Sequence, residues 1–77
     1  MSKFIFSEET ETALIEDLVD ALKRRGFDAK LRLGQYGKTK TFLTFREDLD
    51  AYDVKLILDM IDDMVDIDLV DTIIINR

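Results

Sequence analysis

The order in which the hydrophobic spacing changes along the chain constrains its fold more than any other feature. Short apolar runs, typical of strands, alternate with two longer segments whose apolar residues recur every three or four positions, typical of helices. Read from residue 1, the order is strand, helix, strand, strand, helix, strand. The chain therefore contains two β-α-β halves that are joined by a hairpin.

Both helical segments carry end signals. Ser7 followed by two glutamates predicts that helix 1 begins with Ser7 as its N-cap and runs to about Arg25. Gly26 is then the residue that ends the helix in a left-handed conformation. Helix 2 is predicted to begin near Asp50, which can cap it, and to run to about Val65.

The strands are predicted at Lys3–Phe6, Phe27–Leu33, Lys38–Arg46 and Leu69–Asn76. One face of the central hairpin stays apolar only if Leu33 lies opposite Thr39, because a slip of one residue would exchange the two faces. That register predicts a five-residue connection, or a bulge near Gly37.

Together these signals predict one α+β domain over residues 1–77, a ferredoxin-like split βαβ sandwich. Its four-stranded antiparallel sheet has the strand order 4-1-3-2 and carries both helices on one face. This fold hosts many unrelated functions, so the function must be argued from particular residues.

The composition removes several kinds of chemistry. The chain has 77 residues without cysteine or histidine, which excludes disulfides, thiolate chemistry, histidine acid–base catalysis and the usual zinc ligands. Two glutamates lie after strand 1, where an acylphosphatase-like enzyme would have a phosphate cradle. We therefore expect no enzymatic activity, no metal and no cofactor.

The location of the protein is also constrained. A secreted domain of this size usually needs disulfides, and the chain has none. Its first residues lack the apolar core of a signal peptide, and no apolar stretch approaches the ~20 residues that span a bilayer. We expect a cytoplasmic protein that does not associate with membranes.

The sheet face away from the helices is a predicted binding surface. Strands 1 and 4 are apolar at consecutive positions, whereas a half-exposed strand should alternate. An uncovered apolar surface predicts contact with a protein partner or with a second copy in a homodimer, unless cross-strand packing alone explains it. The residues assigned to this face are Phe4, Lys30, Arg32, Lys40, Phe42 and Arg46.

Strand 3 offers an alternative use of the same face. The segment Lys38–Phe45 resembles the RNP1 octamer of RNA-recognition motif domains in its basic first residue and in Phe42, Leu43 and Phe45. Phe4 would supply a second stacking residue. The family's glycine and first stacking aromatic are replaced by Thr39 and Lys40. The resemblance implies single-stranded nucleic-acid binding, which the net charge of −6 disfavours.

Helix 2 carries a stripe of aspartates at the spacing i, i+3, i+4, i+7, which is one helix face. Its members are Asp59, Asp62, Asp63 and Asp66. Like charges at this spacing cost a few tenths of a kcal/mol per pair. The stripe is interpreted as a solubilising surface, as a site for a basic protein partner, or as a mimic of nucleic-acid charge. A hard cation would need carboxylates that converge, and these diverge.

We conclude from the sequence that the chain is a small non-catalytic protein-interaction domain, a regulator, inhibitor or adaptor. The predicted contact surfaces are the open sheet face and helix 2. Single-stranded nucleic-acid binding through the sheet face is the alternative.

Overall fold

The computed structural model describes residues 1–34 and 40–77 and shows two helices packed on a four-stranded antiparallel sheet. The elements are β1 (Ser2–Phe6), α1 (Thr12–Arg24), β2 (Ala29–Leu33), β3 (Thr41–Phe45), α2 (Ala51–Met64), a 3₁₀ turn (Ile67–Leu69) and β4 (Val70–Ile74). The strand order is β2-β3-β1-β4. This confirms the predicted order 4-1-3-2, read from the opposite edge.

The core lies between the sheet and the helices. Phe4 and Phe45 are fully buried and pack edge to face, with their ring centroids 5.7 Å apart. Phe27 makes a similar contact with Phe45 at 5.9 Å. The helices cover these rings with Ile15, Leu18, Val19 and Leu22 from α1 and Ile57, Met60 and Ile61 from α2. None of the described helices is long and apolar enough to cross a membrane.

Helix α1 begins later than predicted but ends as predicted. Its N-cap is Glu11, which makes no side-chain capping bond, and the buried Ser7 hydroxyl bonds no described residue. The prediction that Ser7 is the N-cap was therefore wrong. At the other end Gly26 has a φ of 97°, and the Phe27 amide donates to the Leu22 carbonyl oxygen at 3.1 Å. These contacts form the Schellman motif that the glycine predicts.

Helix α2 confirms the predicted start. An oxygen of the Asp50 carboxylate accepts from the Asp53 amide at 2.8 Å, and an oxygen of the Asp53 carboxylate accepts from the Asp50 amide at 3.2 Å. This reciprocal capping box satisfies amides that the first turn leaves unpaired. The helix ends at Met64, so Asp66 lies beyond it and caps the 3₁₀ turn through the Asp68 amide at 2.9 Å.

The predicted register of the β2–β3 hairpin is wrong by two residues. Leu33 pairs with Thr41 and Leu31 with Leu43, and the Gly34 amide donates to the Lys40 carbonyl oxygen at 2.7 Å. A shift of two residues keeps every side chain on its predicted face, which is why the pattern alone did not reveal it. The connection between the strands spans residues 34–40, and the predicted bulge near Gly37 lies outside the described residues.

Asn76 ties together β1, the end of β4 and the segment before α2. Its Oδ1 accepts from the Leu49 amide at 2.8 Å and from the Ser2 hydroxyl at 3.1 Å, while its Nδ2 donates to the Leu49 carbonyl oxygen at 2.8 Å. Its own amide donates to the Ser2 hydroxyl at 2.8 Å. The residue has a φ of 54°, which asparagine tolerates better than most residues.

The substitution Asn76→Ala should lower the free energy of unfolding by about 2–3 kcal/mol, because the buried Leu49 backbone loses its partners and alanine is strained at positive φ. Urea denaturation measures this change. The matched variant Asn76→Gly removes the same amide without the strain, so it should be about 1 kcal/mol more stable than Asn76→Ala. Wild-type stability in both variants would contradict the role of Asn76.

Candidate protein-binding face

The sheet face opposite the helices carries two rows of side chains, which we call the open face. The strand pairing aligns Arg32, Phe42, Ile5 and Thr72 in the first row. It aligns Lys30, Thr44, Lys3 and Ile74 in the second row. Because successive side chains of a strand alternate between faces, these rows point away from the core that the helices cover.

The centre of the open face is apolar. Ile5 and Phe42 lie opposite each other on the two central strands, and both are half-buried. The Phe42 ring also packs against Gly34, where an added Cβ would lie 3.3 Å from the Phe42 Cζ. The ring therefore covers bare backbone, as aromatic side chains do beside glycines in sheets. Ile74, at the edge of the second row, is half-buried too.

Basic side chains surround this apolar centre. Lys3, Lys30 and Arg32 lie within the two rows, which contain no acidic residue. Among the described residues, none of these three has a carboxylate within ion-pair distance. The open face is thus locally positive in a chain whose net charge is −6.

Two further predicted site residues lie at the ends of β3. The Lys40 Nζ bonds the Asp71 carboxylate at 3.2 Å, and both side chains are about 40% exposed. Arg46 is 4.0 Å from the Asp28 carboxylate and is more exposed. Exposed pairs of this kind contribute roughly 0–1 kcal/mol, so both cations can exchange partners.

Phe4 is not on the open face, and its assignment there was wrong. It is fully buried and lies opposite Leu43 and Ile73 on the helix side of the sheet. Ile5 lies on the open face at the place that was predicted for Phe4. The sequence contains a signal for this parity, since the charged Lys3 must point outward, which turns Phe4 inward and Ile5 outward.

The segment that resembles RNP1 is partly described. Lys38 and Thr39 lie outside the described residues. Phe42 lies on the open face, as a stacking residue would, but Phe4 is buried in the core. In the described part of the sheet, Phe42 is therefore the one aromatic side chain on the open face.

Three members of the predicted acidic stripe, Asp59, Asp62 and Asp63, lie on α2 at the spacing i, i+3, i+4 of one helix face. Asp66 lies outside α2, and Asp59 accepts from the Lys55 Nζ at 3.1 Å on the exposed side of the helix. Asp63 lines a depression between the helices beside Arg24 and Arg25. Within the described part of the chain, no group of three or more acidic side chains is placed to hold a metal ion.

Comparison with known proteins assigns no function to this chain. No protein-family model matches the chain, and neither a curated protein nor a solved structure matches it significantly. The function therefore has to be inferred from the residues of the open face themselves.

The positions of Phe4 in the core and Phe42 on the open face predict different losses of stability when each is truncated. Phe4→Ala should cost about 3–5 kcal/mol, because it empties a fully buried site. The matched variant Phe42→Ala should cost only about 1 kcal/mol, because that ring is half exposed and packs across strands. Urea denaturation of the two variants compares them, and equal losses would show that Phe42 belongs to the core.

Proposed function

We propose that this chain is a non-catalytic protein-interaction domain that binds an acidic partner protein through the open face. The observation that carries this proposal is the combination of an uncovered apolar centre with basic side chains that have no acidic neighbour. As a regulator, inhibitor or adaptor in the cytoplasm, such a domain would act by occupying a surface of its partner.

The two parts of the face support different aspects of binding. Ile5, Phe42 and Ile74 are half-buried and would lose their remaining water contact when a partner covers them, which stabilises the complex. Lys3, Lys30 and Arg32 surround them and would pair with carboxylates of the partner. Such charges select the partner and speed its approach more than they add affinity, and arginine can bind a carboxylate with two hydrogen bonds.

The charge of the remaining surface supports one orientation of binding. The chain carries 17 acidic residues against 11 basic ones, and the two rows of the open face contain none of the acidic ones. An acidic partner is repelled by the helix side and attracted by the open face. Like-charge contact disfavours wrong orientations, so the contrast favours a single docking mode.

The basic side chains of the open face disfavour self-association through that face. In a homodimer with two open faces in contact, the basic patch of Lys3, Lys30 and Arg32 would meet a face that carries the same positive charge. A two-fold interface joins identical patches, so this arrangement would bring like charges together. The geometry therefore favours a different protein at this face over the face-to-face homodimer that we predicted.

Single-stranded nucleic acid is the alternative ligand of the open face. Phe42 beside Arg32 supports it, since an aromatic ring flanked by basic side chains is the usual platform for a base. The proposal favours a protein because such platforms stack successive bases on several aromatic rings, and because the chain as a whole is acidic.

A charge-reversal pair tests the proposal. Lys30→Glu/Arg32→Glu changes the open face, and the matched control Lys23→Glu/Arg77→Glu makes the same change in charge at exposed positions elsewhere. We expect proteins captured from native extract by the wild type and by the control to bind the open-face variant at least about tenfold more weakly, which is about 1.4 kcal/mol. Circular dichroism confirms that each variant is folded.

Two results would contradict the proposal. One is capture that is equally strong for the open-face variant and for the control. The other is binding of a labelled oligothymidylate at low salt that weakens steeply as salt is added, which would establish the nucleic-acid alternative.

A further inference from the structure

The two free edges of the sheet carry exposed apolar side chains. The edges are β2 and β4. Leu33 on β2 is 54% exposed, and Ile73 on β4 is 40% exposed. Both side chains lie on the helix side of the sheet, since Leu33 is opposite the buried Thr41 and Ile73 is opposite the buried Phe4. Each edge therefore extends the apolar layer of the core to the surface.

The β4 edge also borders a groove. Ile73 forms one wall of a space of about 390 Å³ between β4 and the preceding helical segments. Its other apolar lining residues are Leu58, Ile67 and Val70. A strand added along β4 would direct every second side chain to the helix side, where this groove can receive them.

The β2 edge presents matching backbone groups. The bond from the Gly34 amide to the Lys40 carbonyl oxygen marks residues 34 and 40 as a hydrogen-bonded pair. Hydrogen-bonded and non-hydrogen-bonded pairs alternate along an antiparallel ladder, so the N–H and C=O groups of Leu31 and Leu33 point away from β3. Leu31 and Leu33, whose apolar side chains lie on the helix side, therefore also present unpaired backbone N–H and C=O groups at the edge.

The two edges differ in charge. β2 carries Lys30 and Arg32, whereas β4 carries Asp71, which lines the groove and is contacted by Lys40 of the same copy. Asp62 lies four residues after the groove residue Leu58, on the same side of α2. Pairing of two β4 edges, or of two β2 edges, would bring like charges together, and pairing of β2 with β4 brings opposite charges together.

We propose that copies of this chain associate edge to edge, with β2 of one copy added to β4 of the next. Leu31 and Leu33 then enter the groove beside Ile73, and Lys30 and Arg32 approach the acidic β4 edge. The contact is head to tail, so it builds a ring or an open chain of copies. Each strand has five residues, which makes the contact small and the association weak.

This association shares Lys30 and Arg32 with the proposed partner site and changes what an acidic partner meets. Adding β2 to β4 continues the sheet, so the open faces of successive copies lie side by side on one surface. A partner with several acidic segments would then bind more than one copy at once.

Two single substitutions test the edge contact. Ile73→Lys places a cation on the β4 edge, which repels the basic β2, and Leu33→Glu places an anion on the β2 edge, which repels the acidic β4. The control Tyr52→Lys changes a side chain that is 75% exposed and lies on neither edge. All three positions are exposed on the surface, and circular dichroism confirms the fold. Sedimentation equilibrium from about 10 μM to about 1 mM covers the range in which weak contacts form.

We expect the mean mass of the wild type and of Tyr52→Lys to rise above that of the monomer with concentration. Each edge variant alone should stay monomeric. An equal mixture of the two should associate at least to a dimer, because the β2 edge of Ile73→Lys and the β4 edge of Leu33→Glu are both unchanged. The proposal is overturned by a monomeric wild type, by a mixture that does not associate, or by one edge variant that dimerises alone through two like edges.

Discussion

The edge-to-face contact between Phe4 and Phe45 determines which side of the sheet the helices cover. These rings lie on the two central strands and are fully buried. Because strand side chains alternate, burying Phe4 leaves Ile5 on the opposite face, and burying Phe45 leaves Thr44 and Phe42 there. A slip of one residue between β1 and β3 would exchange the faces, so this aromatic pair sets the composition of the open face.

The open face then acquires a charge that the whole chain does not have. Its basic side chains come from two strands, β1 and β2, whereas the acidic residues concentrate on the helices and connections. An acidic domain that keeps one positive, partly apolar surface can stay soluble while it discriminates strongly among partners. The acidic residues of the helices would repel an acidic protein that approached from the opposite side of the sheet. The specificity of the proposed binding would therefore depend on the whole charge distribution.

The sequence predicts the local features of this fold well and the long-range ones less well. The helix signals at Asp50 and Gly26 are confirmed because they depend on neighbouring residues. The strand order is a long-range feature that is confirmed because the handedness of the crossovers leaves few arrangements. The hairpin register depends on its connection, where two registers keep the same faces. Phe4 and Ile5 are both apolar, so their own side chains do not distinguish the two faces, and the one signal in the sequence is the charge of the adjacent Lys3. Asp66 follows the end of α2, which the aspartate spacing did not mark.

Thiol labelling tests the assignment of the two sheet faces most directly. The chain has no cysteine, so Ile5→Cys and Phe4→Cys each introduce a single reactive group on adjacent residues of one strand. We predict that a water-soluble thiol reagent modifies the folded Ile5→Cys variant readily and modifies Phe4→Cys only when the protein is unfolded in urea. Equal protection of both thiols, or faster labelling at residue 4, would contradict the account.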